Sequence, residues 1–447
     1  VNAQTNTSRF IRPPLNGAAL MERKFRKDQW KMLFVTMFCY LFFYTGRHNF
    51  GWAARGIAKE QDISFQQVGW ISFAMLMGYA IGQLINGNLA DRWSPKIMIV
   101  AGGGLSILCN LAISFAGSYT AILVLWTLNG YFQSMAWGSG GKLISNWWSS
   151  SERGKAFGFY TMAAGSSSVL TFLMALVLVQ QEQSWRTLFR YPILFLAGAL
   201  LVFLFVAYSD PKKKGYTPAD EKEGIAEQED TPEQIAASEK QENWKQSYLH
   251  VFQHRNFMIA SLAIGFQSMA RYGLIFWVPI HFLGNNYKES SGNMWLTLLI
   301  PIGMALGAVS FGYISDLVFN KNRSKSIAAG MMISCIIALL IYLVPVHNHL
   351  LMGILMFTSG FFVYGPQANF WTLSPDLLGT KLVGTGIGVM NMFAYVFAAV
   401  GEPLFGKLID YTGNTANIFL FVALICAICA TIIGFVRSPK SISNKKP

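Results

Sequence analysis

Two arginines sit deep inside long apolar stretches of this chain, Arg47 and Arg271, 224 positions apart. Placing a guanidinium in hydrocarbon costs about 2.5–3.5 kcal/mol on insertion scales, so each needs a partner or a purpose. A structural ion pair is the ordinary purpose, but acids are scarce in the surrounding blocks. Glu402 falls toward the outer end of its apolar block, and Asp91 and Asp316 fall at the inner ends of theirs. Both guanidinium forks are therefore expected to face a central cavity. Their planar geometry suits bidentate binding of a phosphate or carboxylate.

The neighbouring residues repeat at helical spacing. Tyr40, Tyr44 and Arg47 fall at i, i+4 and i+7. The pairs Tyr79 with Gln83, Gln267 with Arg271, and Asn391 with Tyr395 are each four apart. Any one such stripe is also what interhelical hydrogen bonding produces. Four of them beside two arginines point to a lined pathway, with Arg47, Arg271, Tyr40, Tyr44, Tyr79, Gln83, Asn391 and Tyr395 as candidate binding residues.

The elements that must hold these residues follow from composition. Hydrophobic residues make up 53% of the 447 and charged residues only 13%; soluble proteins carry about 25% charged. Mean hydropathy is +0.37 despite 35 basic side chains. The net charge of +13 does not indicate nucleic acid, because the basic residues lie in short runs between apolar blocks rather than on one patch. Twelve blocks approach the roughly 20 residues that cross a bilayer. They cover about 30–52, 66–90, 97–117, 119–141, 156–179, 188–208, 256–283, 292–316, 325–346, 349–372, 382–405 and 416–436. The first is too long for a signal-peptide core and reads as a retained helix. With both termini cytoplasmic, 26 of the 35 Lys and Arg fall on the inner side and six on the outer, as the positive-inside tendency requires.

The stretch Asp210 to Arg255 carries ten of the 22 acids and divides the chain six spans from six. The expected organisation is a cytoplasmic segment 1–29, a six-helix bundle 30–208, a cytoplasmic loop 209–255, a second six-helix bundle 256–436 and a tail 437–447. The halves echo one another. Gly87-Asn88-Leu89-Ala90-Asp91 closes span two and Gly312-Tyr313-Ile314-Ser315-Asp316 closes span eight; Gly130-Tyr131-Phe132 and Gly360-Phe361-Phe362 recur in spans four and ten. Such a repeat implies an all-α integral membrane fold of twelve transmembrane helices in two pseudo-symmetric six-helix bundles, with the substrate site between them near the midplane. Asp91 with Arg92 and Asp316 with Arg323 are placed where an acid at a helix end meets basic groups across the bundle interface and latches one conformation.

Gly87-Asn88-Leu89-Ala90-Asp91-Arg92-Trp93-Ser94-Pro95-Lys96 resembles the loop signature of the major facilitator superfamily, with a weaker copy from Asp316 to Arg323. A narrower resemblance is to the organophosphate:phosphate antiporters, which include the glycerol-3-phosphate and hexose-phosphate transporters. Phe43 to Phe50 resembles their first-span motif, Asn146 to Gly154 their fourth-loop signature, Arg271 to Trp277 their seventh-span motif and Gly360 to Gln367 their tenth. The likeness covers nearly the whole chain apart from the central loop and tails. It implies that Arg47 and Arg271 bind a phosphoryl group, with Tyr40, Tyr44, Tyr79, Tyr364 and Tyr395 around it. Two positions depart from the pattern: Ala164 stands where many phosphate exchangers have a His, and Gln83 where a Lys is common. The cavity is then less cationic than in a typical member, which leaves room for a bulkier or less charged anion.

The leading expectation is a monomeric secondary transporter in a bacterial inner membrane. It exchanges a small anionic metabolite of the sugar phosphate or glycerol phosphate class for inorganic phosphate. A carrier of another organic anion (a carboxylate metabolite or siderophore), possibly proton-coupled, is the first alternative, and a membrane sensor of sugar phosphates signalling to a kinase is the second. Proton coupling is disfavoured by the lack of a mid-depth acid, leaving His48 and His281 as packing or gate residues. No phosphate-binding loop, cofactor motif or catalytic constellation is present, and the five cysteines, Cys426-x-x-Cys429 included, lie in apolar spans without further metal ligands. Neither enzyme activity, a metal, a cofactor nor a nucleic-acid partner is expected.

Overall fold

A computed structural model describes residues 17–149, 152–181, 184–217, 219, 244–282, 295–343, 348–378 and 383–436. Sixteen α-helices appear among them: α1 (Gly17–Phe43), α2 (Phe50–Gln61), α3 (Phe65–Arg92), α4 (Pro95–Ile113), α5 (Tyr119–Gln133), α6 (Met135–Trp147), α7 (Arg153–Gln180), α8 (Thr187–Val206), α9 (Trp244–Gln253), α10 (Arg255–Phe282), α11 (Leu296–Leu317), α12 (Arg323–Leu343), α13 (His349–Tyr364), α14 (Gln367–Leu378), α15 (Val383–Thr412) and α16 (Asn417–Gly434). Eight described segments are long and apolar enough to cross a membrane: α4, α8, α10, α11, α12, α13–α14 taken together, α15 and α16. The other four expected spans correspond to α1–α2, α3, α5–α6 and α7.

Three expected spans are broken. The first is interrupted at Tyr44–Gly46, a single 3-10 turn, so the expected 30–52 is really two helices reaching from Gly17 to Gln61. This corrects the reading of Tyr40, Tyr44 and Arg47 as one continuous helical face. The fourth is interrupted at Ser134. The tenth is interrupted at Gly365-Pro366, where proline has no N–H to continue the ladder. Helix starts follow ordinary capping chemistry. Ser64 and Gln67 form a reciprocal capping box at α3, and Pro95 sits in the first turn of α4.

Packing repeats between the halves. In the first, α5 crosses α3 at Gly130, where a Cβ would overlap the Met75 carbonyl; in the second, α13 crosses α11 at Gly360, where a Cβ would overlap the Ile300 carbonyl. The halves meet along α3 with α15, α7 with α11, and α2 with α10. The face bearing the Asp62–Ser64 turn is sealed. Asp410 accepts from the backbone N–H of Phe65 and Gln66 at 2.9 and 2.7 Å, and Arg55 donates to the Ile280 carbonyl at 3.0 Å. At the opposite face Lys214 and Tyr216 both bond Asp28 at 2.9 Å, tying the start of the central loop back to α1.

Candidate functional site

Arg47 is presented by the break in the first span. Breaking a helix frees backbone carbonyls, and a buried carbonyl must find another donor. Here amide side chains supply it. Gln133 Nε2 donates to Phe43 O at 3.0 Å, while Asn110 Nδ2 and Asn129 Nδ2 donate to Gly46 O at 3.1 and 2.9 Å. Ser106 links two of these amides, donating to Asn129 Oδ1 at 2.6 Å and accepting from Gln133 Nε2 at 2.8 Å. Asn49, just beyond the break, donates to Leu188 O at 2.9 Å. The amide collar thus draws on α4, α5 and α8 to fix the backbone that aims one side chain. The sequence reading missed it; its one visible signal was a cluster of Asn and Gln in apolar spans three and four.

The guanidinium of Arg47 donates from Nη2 to the Tyr272 hydroxyl at 2.5 Å. It lies 4.3 Å from the Tyr79 ring centroid and 5.5 Å from those of Tyr44 and Tyr395. Arg271 donates from Nη1 to Gln367 Oε1 at 3.1 Å and lies 4.5 Å from the Tyr364 centroid and 5.0 Å from that of Tyr272. Both residues are buried, and the Nε of each has no hydrogen-bond partner. Among the described residues neither forms an ion pair. Tyr79 and Tyr395 pack ring to ring across the halves at 4.7 Å. The result is two cations, one from each half, converging on Tyr272 inside an aromatic wall. Such a place neutralises an anion through forked N–H donors and covers its organic part with ring faces. Tyr272 and Gln367 had been passed over as candidates although both stand within the motifs around Arg271 and Tyr364.

The other expected residues fall into three groups. Tyr40 is buried one layer away, packed on Tyr44 at 5.7 Å and Tyr160 at 4.9 Å rather than on an arginine. Gln83 and Asn391 are half-buried on α3 and α15, and Gln83 Nε2 is without a partner. Asp316 meets Arg323 at 2.6 Å, but within the turn joining α11 to α12, not across the halves as expected; consecutive helix ends are simply closer than facing bundles. Asp91 and Arg92 close the backbone of α3, and their side chains, like that of Ala164, lie outside the described residues.

Glu402 lies toward the Phe65 end of α3, its carbonyl against Gly69, and α15 runs on for ten residues to Thr412. Glu402 is 1% exposed, accepts from Trp277 Nε1 at 2.9 Å and shares a small cavity with Arg47 and His48. His281 packs as expected, bonded to Thr415 Oγ1 at 2.9 Å.

The sequence profile of the Major Facilitator Superfamily matches residues 36–402. The chain belongs to that superfamily. It is an integral, multi-pass membrane protein. It is 25% identical to the phosphoglycerate transporter protein of Salmonella typhimurium over 398 residues, 87% of this chain and 85% of that one. It is 25% identical to the glycerol-3-phosphate transporter of Bacillus subtilis, covering 89% and 90%. The membrane sensor protein UhpC of Escherichia coli is likewise 25% identical, covering 95% and 97%. Among solved structures, a bacterial homolog of the human lysosomal transporter Spinster, inward-facing and unoccupied, superposes with a TM-score of 0.72 at 14% identity over 92% of this chain and 95% of the other. Arg47 lies at the break in the first span of the first half, and Arg271 lies within α10, the first span of the second.

Proposed function

We propose that this protein is a secondary transporter of a phosphorylated organic anion, exchanging it for inorganic phosphate by alternating access. One observation carries the reading. Arg47 and Arg271 come from opposite halves, converge on one aromatic pocket and lack any counter-anion among the described residues. An anion bridging both forks would neutralise them and let the halves close over it. An empty carrier would have to enclose two bare cations in a dry site, which suppresses unloaded reorientation and enforces exchange. The match to named transporters of phosphoglycerate and glycerol-3-phosphate agrees with this substrate class. We place the chain in a bacterial inner membrane with both ends cytoplasmic, from the distribution of Lys and Arg. The face sealed by Asp410 is then the outer one. The two six-helix bundles are its moving bodies.

The test is counterflow of labelled phosphate in proteoliposomes, competed by a panel of phosphate esters and carboxylates. Phosphate esters should inhibit, and Arg47→Lys or Arg271→Lys should abolish exchange, because a point charge does not replace a fork. Full activity in either variant, or no inhibition by any ester, overturns the reading. The likeness to a membrane sensor favours a second role, sensing without flux. Binding of esters with no measurable counterflow is its signature.

A further inference from the structure

Outward of Arg47 lies a cavity of about 20 Å³, lined by Arg47, His48, Ser72, Tyr272 and Glu402 among others. That is room for about one water molecule. The Glu402 carboxyl takes a hydrogen bond from the neutral donor Trp277 Nε1 at 2.9 Å, has Ser72 beside it on the cavity wall, and forms no ion pair among the described residues. His48 is 5% exposed and its Nδ1 meets Ser168 Oγ at 3.0 Å, but its Nε2 is buried without a partner. A carboxyl from the second half and an imidazole from the first therefore share a space the size of one water.

Trp126 of α5 and Phe50 of α2 add aromatic surface to the cavity and no charge. The junction of α1 and α2 contributes Arg47 and His48. From α10 come Tyr272 and the neutral Trp277. From α3 comes Ser72, with Tyr79 two turns further in. On α15 itself the nearest ionisable groups are Tyr395, Lys407 and Asp410, five or more positions away. Arg55 and His281 lie further outward, engaged by the Ile280 carbonyl and Thr415. Arg47 is the one fixed cation on the cavity wall, and its Nη2 is already given to Tyr272.

We propose that Glu402, with His48 across the cavity, is a proton-binding site that fills as the outer face closes, so that the carrier moves protons as well as its anion. The seam supplies the coupling. Glu402 sits where α15 touches α3, its own carbonyl against Gly69. Parting these helices exposes the carboxyl to outer water, where the ionised form is stable. Closing them removes that water, and an ionised carboxyl held by one neutral donor is strongly disfavoured in such a place. The proton comes from the outer water and leaves past His48 Nε2 into the Arg47 pocket when the inner face is open. This inference rests on the transporter reading above for the identity of the anion, but not for the existence of the proton site.

Infrared difference spectra of the reconstituted protein across a pH titration test the site without any substrate. A protonated-carboxyl C=O band should be present in wild type, absent in Glu402→Gln and shifted in its titration by His48→Asn. In the same vesicles, a one-unit gradient, alkaline inside, should speed counterflow of labelled phosphate in wild type and carry protons inward with it, read by a trapped pH dye. Glu402→Gln should lose that response and keep counterflow at equal pH. The comparison between the two proteins cancels the titration of phosphate itself. Survival of the band in Glu402→Gln, or an equal gradient response in both proteins, overturns the proposal. A titrating Glu402 band without phosphate counterflow in wild type upholds the proton site and sinks the substrate reading instead.

Discussion

Arg47 and Tyr272 are 225 residues apart in sequence and 2.5 Å apart in space, Nη2 to hydroxyl oxygen. The bond joins the two halves at the point where the arginines converge, because the same tyrosine ring also faces Arg271. On the transporter reading proposed above, Tyr272 stands where an anion bridging the two forks would sit.

Tyr272→Phe should release this closed conformer while keeping the ring. A hydrogen bond to a charged group contributes about 1.5–3 kcal/mol, so the ratio of closed to open forms should fall roughly ten-fold or more. Spin labels at the ends of α3 and α15 near Ser64 and Asp410 would report it as a new, longer distance. An unchanged distance distribution would mean that the bond is incidental.

Gln133→Leu and Asn129→Leu each strip a donor from the carbonyls freed by the broken first span. An orphaned buried carbonyl costs about 1–3 kcal/mol. Both variants should melt earlier in detergent. They should also weaken phosphate competition although neither side chain lies on an arginine fork. Lower stability with unaltered affinity would show that the collar supports the fold but does not aim Arg47.

Gly69→Ala should prevent closure of the sealed face. The added Cβ would stand 2.5 Å from the Glu402 carbonyl oxygen and 2.7 Å from Pro403 Cα, backbone atoms that have little room to yield. Overpacking of this kind costs about 1–3 kcal/mol, here borne only by the closed conformer. Cysteine probes on α3 and α15 should become accessible from that face, with substrate still bound there and exchange lost. Normal exchange rates would argue that the helices part further than a glycine seam requires.

Glu60 gives a pH-dependent contribution. A hydrogen bond from Arg186 holds its carboxyl below the ordinary value of 4.5, against a smaller opposing effect of burial and with help from Trp185 Nε1 at 2.8 Å. A carboxyl lowered on folding stabilises the folded form above its unfolded pKa and loses that effect as pH falls through its folded one. The stability difference between wild type and Glu60→Gln should therefore be constant from neutral pH down to about 4.5 and shrink below it. A difference that persists to pH 3 would contradict this ion pair.

Much of the plan was legible in the chain because its causes are local. Apolar length marks the spans, the repeat of Gly130 and Gly360 marks the shared crossing, and the expense of a charge in hydrocarbon singles out Arg47 and Arg271. Pattern at fixed spacing also found Tyr44, Tyr79 and Tyr395, since residues one helical turn apart share a face whether or not the helix beyond them continues.

What spacing could not show is where one helix stops and which distant helix answers it. Periodicity treated 30–52 as one rod, but the rod breaks at Tyr44–Gly46 because Asn110, Asn129 and Gln133 on other spans are there to take its carbonyls. It drew Asp316 and Arg323 across the halves, whereas the turn between α11 and α12 pairs them locally. It placed Glu402 toward the end of a span but could not show that the carboxyl shares a cavity with Arg47 and His48. The depth of a side chain, the partner of a fork and the burial of an acid depend on groups hundreds of residues away, and only the folded chain brings those groups together.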